Sequence, residues 1–221
     1  MPERSVRRTW MPIAGVAAAL VIGAAIAIID VSGFGQLWSV SRSEFALAAT
    51  SALAVMVFDV LTGVLIAVGL SLLVALGRMA RPHDAVLSDG RDLDGWVDAE
   101  AHPGARTLPG LLVYRFDAPL FFANADWYRE RLEQLIETNP GEEEWLVLDF
   151  EGVGEADTTA IDMLVELLAE QESAGRVVAI ARANDRVLRR LERANLLGPA
   201  GAALVFPTIN AAVRAFTAAH R

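Results

Sequence analysis

The first part of the chain is dominated by two long apolar runs. Residues 11–29 are nineteen consecutive positions without a charge, which as a helix would measure about 28 Å and would match the hydrocarbon core of a bilayer. The second run, 45–77, has thirty-three residues and a single charge, Asp59. One straight helix of that length would reach about 50 Å, so the run either tilts strongly or breaks near 58–63, where a charge and a glycine occur together. The pattern predicts membrane helices at about 12–30, 44–58 and 60–78.

Three features of this apolar part allow more than one interpretation. Arg4, Arg7 and Arg8 precede the first run, as in a cleaved signal peptide, although the run is long for one and a second apolar block follows. Asp59 is either an intramembrane functional carboxylate or the marker of a turn at the membrane face, and the lack of a basic residue nearby in the sequence favours the turn. The positive-inside tendency favours two crossings, whereas a break at Asp59 gives three.

After Pro82 the pattern changes to short apolar runs and amphipathic stretches. Residues 82–110 are rich in Asp, Gly and Pro and are predicted to be a linker, with a candidate edge strand at 96–97. From residue 111 onward, short apolar runs alternate with segments of 3.6-residue periodicity. This order predicts one small α/β domain over 111–221, a β-sheet with amphipathic helices packed on it. The predicted strands are 111–116, 145–150, 177–181 and 203–206, and the predicted helices are 125–138, 160–174, 186–197 and 208–219.

Composition separates the same two parts. The net charge is −9 although 54% of the residues are hydrophobic. Up to Arg81 the chain has six arginines and four acidic residues, and beyond it thirteen arginines and twenty-four acidic residues. The acidic second part speaks against a nucleic-acid partner. The chain contains neither cysteine nor lysine, and its three histidines are far apart, which excludes disulfides, thiolate chemistry, a P-loop lysine and a histidine metal site on one helix. No enzyme activity, catalytic residue, cofactor or metal is therefore predicted.

Three segments of the second part resemble the STAS domain, the fold shared by anti-sigma factor antagonists and the tails of anion transporters. They are FDAPLFFANADWYRERL at 116–132, WLVLDFEGVGEADTTAIDML at 145–164 and GRVVAIARANDRVLRRLERANLLG at 175–198. The run at 115–125 resembles the transporter branch, the SulP family of sulfate and other anion permeases. In the first part, MPIAGVAAALVI and the block ending in SLLVALGRMARPHDAVL are similar to the last three membrane segments of that family.

The resemblance implies the C-terminal part of a SulP-type, sulfate-like anion transporter, with membrane helices in the cell (inner or plasma) membrane followed by a cytoplasmic STAS domain. SulP transporters hold their substrate between half-helices earlier in the chain, so the expectation is a truncated or split permease that does not transport alone. The implied partners are the membrane, the missing transporter core or a second copy, and an inorganic anion only through that core. The alternative is a free-standing, membrane-tethered STAS interaction module related to anti-sigma factor antagonists.

The resemblance also singles out Asp157, Thr158 and Thr159, which match the Asp-Ser-Ser position of anti-sigma factor antagonists. Thr158 matches the phosphorylated hydroxyl of those proteins. A helix N-terminus stabilises an added phosphate through its dipole and its free N–H groups. The competing interpretation is that Asp157 or Thr158 caps the helix, and Glu155 and Asp157 would repel a phosphate.

Two further sets of residues are candidates for interaction. Phe122 and Asn124 belong either to an exposed docking patch or to a buried turn in which Asn124 caps the first helix of the domain. Arg186, Arg190 and Arg193 fall near one helix face, which fits either an anionic lipid or nucleotide phosphate or a merely solvated surface.

Overall fold

The fold was analysed in a computed structural model that describes residues 15–24, 27, 31–90, 95–138, 144–197 and 203–220. The chain divides into two compact units, Met1–Leu73 and Val74–Arg221. The described residues of the first unit are almost all helical, and those of the second combine a β-sheet with further helices.

The described residues of the first unit form α1 (Gly15–Ala24), α2 (Val31–Val40), α3 (Arg42–Val57) and the larger part of α4 (Val60–Ala80). The helix predicted at 12–30 coincides with α1 in part, and most of its other residues, like the arginines before it, lie outside the described residues. Nothing in the sequence pattern predicts α2, because its two glycines and its short length are typical of a loop. It packs on α3, where the rings of Trp38 and Phe45 meet edge to face at 4.9 Å.

The second apolar run forms two helices that meet at Asp59, within the segment where the sequence predicts a break. Phe58 follows α3, and Asp59 starts α4: Oδ1 accepts a hydrogen bond from the Thr62 N–H (3.0 Å), and Oδ2 accepts one from the Thr62 hydroxyl (2.8 Å). Both carboxylate oxygens are used at the helix start, which favours the turn interpretation. Among the described residues, α4 is the one helix long and apolar enough to span a bilayer. The number of crossings stays a prediction.

Gly63 lets α4 approach α3 closely beside this turn. A Cβ atom on Gly63 would lie 2.4 Å from Val55 Cγ2 and 2.5 Å from Val55 Cα, whereas one on Gly69, further along α4, would have no neighbour within 4 Å. We expect Gly63→Ala to cost about 1 kcal/mol, the lower end for overpacking, because the two helices can move apart. The melting temperature of the chain in detergent measures this. Gly69→Ala is the matched control, and equal melting temperatures of the two variants would contradict the close approach.

The second unit is a six-stranded sheet with helices on both faces. Its strands are β1 (Asp84–Asp89), β2 (Trp96–Asp98), β3 (Leu111–Phe116), β4 (Trp145–Asp149), β5 (Val177–Ala181) and β6 (Ala203–Phe206), and its helices are α5 (Ala125–Thr138), α6 (Thr158–Ser173), α7 (Asp185–Arg193) and α8 (Ile209–Ala219). The strand order is β2-β1-β3-β4-β5-β6. β1 is antiparallel to both of its neighbours, and β3 to β6 are parallel. The predicted α/β fold class is confirmed.

The segment 82–110, for which the sequence predicts a linker with a candidate edge strand, contributes two strands to the sheet. β2 occupies the predicted edge position, and β1 lies between β2 and β3. The sequence of β1 lacks the clear alternation of apolar and polar residues that indicates a strand. Ala85 and Leu87 are buried at alternate positions, but the polar residue Ser88 is buried as well. The second unit begins within α4, at Val74, whereas the composition changes after Arg81.

The core of this unit lies on both faces of the sheet. The face covered by α5, α6 and α7 buries Tyr114, Leu148 and Leu164, among others. The face covered by α8 buries Val147 and Phe216. All five residues of β4 are buried, and the first four form the continuous apolar run expected of a strand covered on both sides. Because β3, β4 and β5 are parallel, their carboxyl ends meet at one edge of the sheet, and the loops at this edge carry the candidate site.

His220, directly after α8, joins that helix to the residue before β4. Its Nε2 contacts the Glu144 carboxylate, and its Nδ1 lies 2.8 Å from the Phe216 carbonyl oxygen. The hydrogen bond to Glu144 and then the one to Phe216 raise the pKa of His220 above its ordinary value, because both stabilise the imidazolium. This contact therefore stabilises the fold below the ordinary histidine pKa and loses its contribution as the pH rises through the raised pKa.

We expect Glu144→Gln to lower the pKa of His220 toward its ordinary value, because the largest cause of the shift is removed. NMR titration of the His220 imidazole protons measures this. Glu192→Gln removes an exposed carboxylate from α7 and serves as the control, with an unchanged His220 titration. The same His220 pKa in both variants would exclude the contact with Glu144.

Candidate functional site

The candidate site lies where two loops leave the carboxyl ends of β3 and β4. The loops pair with each other: the Leu120 N–H donates to the Glu155 carbonyl (2.9 Å), and the Asp157 N–H donates to the Leu120 carbonyl (3.0 Å). Asn184, the N-cap of α7, donates from its side-chain amide to the Val153 carbonyl at 3.2 Å. Hydrogen bonds from two sides therefore hold the residues that precede α6.

Asp157 is the N-cap of α6 and uses both of its carboxylate oxygens. Oδ1 accepts the capping hydrogen bond from the Ala160 N–H (2.8 Å), and Oδ2 accepts a second one from the Phe122 N–H in the loop before α5 (2.9 Å). The backbone of Asp157 is extended, with φ −82° and ψ −179°, as the N-cap position requires. Asp157 thus joins the start of α6 to the neighbouring loop in addition to capping the helix.

Thr158 and Thr159 occupy the first turn of α6, and both are exposed. Glu155, which from the sequence would repel a phosphate, forms ion pairs with Arg190 at 3.3 Å and with Arg186 at 3.7 Å. These two arginines offset the charge of Glu155. The electrostatic objection to a phosphate at Thr158 is therefore weaker in the structure than in the sequence.

The structure brings two of the three candidate arginines of α7 to this site. Arg190 donates from Nη1 to the Ala156 carbonyl at 2.6 Å, so it also holds the loop before α6. Arg186 pairs with Glu155, and Arg193 is exposed at the end of α7. The arginines that the sequence offered as an anion-binding face therefore serve, in part, to fix the candidate site.

Phe122 and Asn124, which the sequence places in one candidate patch, point to different environments. The Phe122 side chain is 62% exposed, whereas Asn124 is fully buried. Asn124 Oδ1 accepts from the Phe121 N–H (2.9 Å), and Nδ2 donates to the carbonyls of Pro119 (2.9 Å) and Met79 (3.2 Å). Its side-chain oxygen binds an N–H group before α5 rather than one inside that helix. Of these two side chains, only that of Phe122 is accessible to a partner.

A buried ion pair at the same edge of the sheet was not predicted from the sequence. Asp149, the last residue of β4, is fully buried and accepts hydrogen bonds from Arg182 Nε (2.9 Å) and Arg182 Nη2 (2.5 Å). Arg182 follows β5 directly, has a left-handed backbone (φ 59°) and also contacts Glu151 at 2.6 Å. Arg115 lies 4.0 Å from Asp149. The sequence shows a charged residue at the end of β4, Asp149, and another just after β5, Arg182. Their pairing follows only from the strand register, which places Asp149 beside Ala181, the residue before Arg182.

The site offers recognition and modification chemistry. Its exposed groups include two hydroxyls, one aromatic ring and the Glu155–Arg186 ion pair, a surface suited to another protein or to an added phosphate. Within the part of the chain that the structure describes, no group of three or more His, Cys, Asp or Glu side chains is placed to hold a metal ion.

The mixed sheet with helices packed on it is the fold of a STAS domain. Residues 102–212 match the STAS domain family, and the chain belongs to that family. It is 43% identical over 205 residues to a probable sulfate transporter of Mycobacterium tuberculosis, an alignment that covers 93% of this chain and 36% of the relative. Sulfate transporter 3.1 of Arabidopsis thaliana is 28% identical over 209 residues, covering 90% of this chain and 32% of the relative. The chain thus spans about a third of the length of these relatives.

The fold is also shared with a solved transporter. The murine Solute Carrier 26 anion transporter Slc26a9, in its inward-facing state, matches with a TM-score of 0.75 and 23% identity, over 83% of this chain and 30% of that protein. The resemblance to the C-terminal part of SulP-family transporters, which the sequence predicted from its own motifs, is confirmed by these comparisons.

Proposed function

We propose that this chain is the C-terminal regulatory part of a sulfate-type anion transporter. In this proposal the helices lie in the cell membrane beside the transporter core, and the STAS domain lies in the cytoplasm and regulates or assembles that core. The observation that carries the proposal is the 43% identity over 205 residues to a sulfate transporter, an alignment long enough to include both units of the chain. The transport path is proposed to lie in the part of the relatives that this chain does not span.

The proposed substrate of the complete transporter is an inorganic anion of the sulfate type, as the names of the relatives state for those proteins. A membrane site for such an anion needs basic side chains or helix N-termini facing a cavity within the bilayer. In the described residues of the first unit, charged side chains lie at helix ends: Arg42 and Glu44 at the start of α3, and Asp59 at the start of α4. Because the transport path is proposed to lie in the part of the relatives that this chain does not span, we infer that the chain alone transports nothing.

The proposed regulatory surface is the exposed part of the candidate site. A protein partner would contact the Phe122 ring and the hydroxyls of Thr158 and Thr159, which are exposed on a base fixed by hydrogen bonds. A phosphate on Thr158 would interact favourably with the N-terminus of α6 and with Arg190 across the site. Either event would change the surface that the STAS domain presents to the transporter core.

A second candidate function is a self-standing, membrane-tethered interaction module. The 62% exposure of Phe122 favours it, because an exposed aromatic ring beside a capped helix start suits a protein partner of any kind. In that case the partner would be a protein other than a transporter core.

A sulfate-uptake assay separates the two candidates. Liposomes that contain the chain alone are expected to take up no more sulfate than empty liposomes. A chimera in which the chain replaces the matching third of the Mycobacterium tuberculosis relative is expected to restore uptake in cells without a sulfate permease of their own. Uptake by the chain alone would overturn the proposed location of the transport path. An inactive chimera present in the membrane at the normal level would favour the interaction module.

The same chimera tests the proposed regulatory surface. Asp157→Ala removes the cap of α6 and the hydrogen bond to the loop before α5, so we expect lower uptake at an unchanged amount of protein in the membrane. Asp162→Ala removes an exposed carboxylate from the same helix and is the control. Equal uptake by the two variants would argue against a regulatory role of the Asp157 end.

A further inference from the structure

Asn124 connects the Asp157 end of the STAS domain to the last turn of α4. Three side-chain hydrogen bonds follow one another: the Phe122 N–H donates to Asp157 Oδ2 (2.9 Å), the Phe121 N–H donates to Asn124 Oδ1 (2.9 Å), and Asn124 Nδ2 donates to the Met79 carbonyl (3.2 Å). All five residues belong to the second unit. The adjacent residues Phe121 and Phe122 make the series continuous.

The Met79 carbonyl is one of the groups that a helix cannot satisfy by itself. α4 ends at Ala80, and the last four carbonyls of an α-helix have no N–H partner within the helix. Asn124 supplies a donor to one of them from a fully buried position. A side-chain donor from the loop before α5 therefore satisfies a backbone carbonyl in the last turn of α4.

The Asn124 amide has one orientation available to it. Its second Nδ2 donor binds the Pro119 carbonyl at 2.9 Å, and its oxygen binds the Phe121 N–H. A buried amide with donors and acceptor all paired does not rotate without leaving polar groups unsatisfied. A displacement of Phe121 therefore displaces the donor that Met79 receives.

We propose that Asn124 is a positioning residue that transmits changes at Asp157 to the end of α4. The inference rests on the proposed function of the Asp157 end: a phosphate on Thr158 repels the Asp157 carboxylate, or a bound partner competes for it, and the carboxylate leaves the Phe122 N–H. The loop before α5 then loses its connection to α6, Asn124 moves with it, and the Met79 carbonyl loses its donor. The last turn of α4, which leads from the domain toward the apolar helices, loosens as a result.

Two variants interrupt the series at different points. Asp157→Ser retains the capping bond to Ala160, because serine caps helices about as well as aspartate, but its shorter side chain does not reach the Phe122 N–H. Asn124→Asp keeps the size of the side chain and the acceptor for the Phe121 N–H. It replaces Nδ2, the donor to the carbonyls of both Met79 and Pro119, by an oxygen that makes neither hydrogen bond.

Spin labelling of the whole chain in lipid nanodiscs tests the proposal. The chain has no cysteine, so Arg81→Cys, at the exposed position directly after α4, carries a single label. Asp157→Ser is expected to raise the ratio of mobile to immobile label about five-fold, the factor that corresponds to the loss of one ordinary hydrogen bond. Asn124→Asp is expected to give a similar rise, and the two substitutions together should add little beyond either.

A label at Arg189→Cys, on the exposed side of α7, reports whether the variants stay folded and should keep its spectrum. An unchanged label at position 81 in Asp157→Ser, with the position 189 label also unchanged, would overturn the transmission. Additive effects of the two substitutions would overturn it too, because they would act separately. The spin-label measurement uses no transporter core, so a negative result would not contradict the proposed function, which the uptake experiments test. Conversely, an inactive chimera would not contradict the connection through Asn124.

Discussion

Replacing Arg182 by alanine is expected to lower the free energy of unfolding of the STAS domain by about 3 kcal/mol, as expected when one partner of a buried ion pair is removed. The reason is the position of Asp149, which is fully buried and accepts two hydrogen bonds from the Arg182 guanidinium. Without that group the carboxylate stays in the interior, with Arg115 at 4.0 Å as a weaker partner. Urea denaturation of the chain in detergent, followed by tryptophan fluorescence, measures the loss.

Two comparisons make this test specific to the ion pair. Arg189→Ala removes an exposed arginine from α7 and should change the stability by no more than about 0.5 kcal/mol. The double substitution Asp149→Leu with Arg182→Leu should cost less than Arg182→Ala alone, because no charge is then left buried without a partner. If Arg182→Ala cost no more than Arg189→Ala, the ion pair would not stabilise the domain.

Gly152→Ala is expected to destabilise the domain by about 2 kcal/mol, within the range for overpacking of a filled site. A Cβ atom at this position would lie 2.6 Å from the Phe116 carbonyl oxygen and 2.7 Å from the Asp117 Cα. Both are backbone atoms at the end of β3, so the clash is relieved only if the loops that follow β3 and β4 move apart. Separation of these loops would also lengthen their hydrogen bonds at Leu120. The same urea denaturation measures the effect.

Gly154→Ala is the matched control for Gly152→Ala. Gly154 lies in the same loop, and a Cβ atom there would have no neighbour within 4 Å. Its replacement should therefore leave the denaturation midpoint nearly unchanged. Similar midpoints for the two variants would show that the loops tolerate a side chain at Gly152 and do not approach as closely as described.

The parallel strands could be predicted from the sequence, but β1 could not. A strand covered on both faces leaves a continuous apolar run, as 145–148 and 177–181 do. β1 lies beside the edge strand and mixes buried and polar positions, with Ser88 buried among them. Its place in the sheet depends on antiparallel pairing with β3, a contact that local composition does not encode. The many Asp, Gly and Pro residues of 82–110, the segment that contains β1, are also typical of a linker.

The candidate site could be predicted only where its contacts are local. Asp157 follows the N-cap preference, and its bond to Ala160 is three residues away. Its second bond, to Phe122, joins residues thirty-five positions apart, and the bond from Asn124 to Met79 joins residues forty-five positions apart. The helical and strand periodicities of a sequence reflect local structure and do not show which distant residues form hydrogen bonds. The role of Asn124 in the interior and the pairing of Asp149 with Arg182 therefore required the sheet register and the loop positions.

The place of β1 in the sheet determines how the STAS domain can be separated from the apolar helices that precede it. β1 comes directly after α4 in the chain, yet it fills the position between β2 and β3. A soluble version that begins at Leu111 would leave the backbone edge of β3 open, and open edges recruit strands from other molecules. A version that begins before Asp84 keeps this edge paired. We therefore expect the short segment beyond α4, which pairs with the edge of β3, to keep the domain from aggregating.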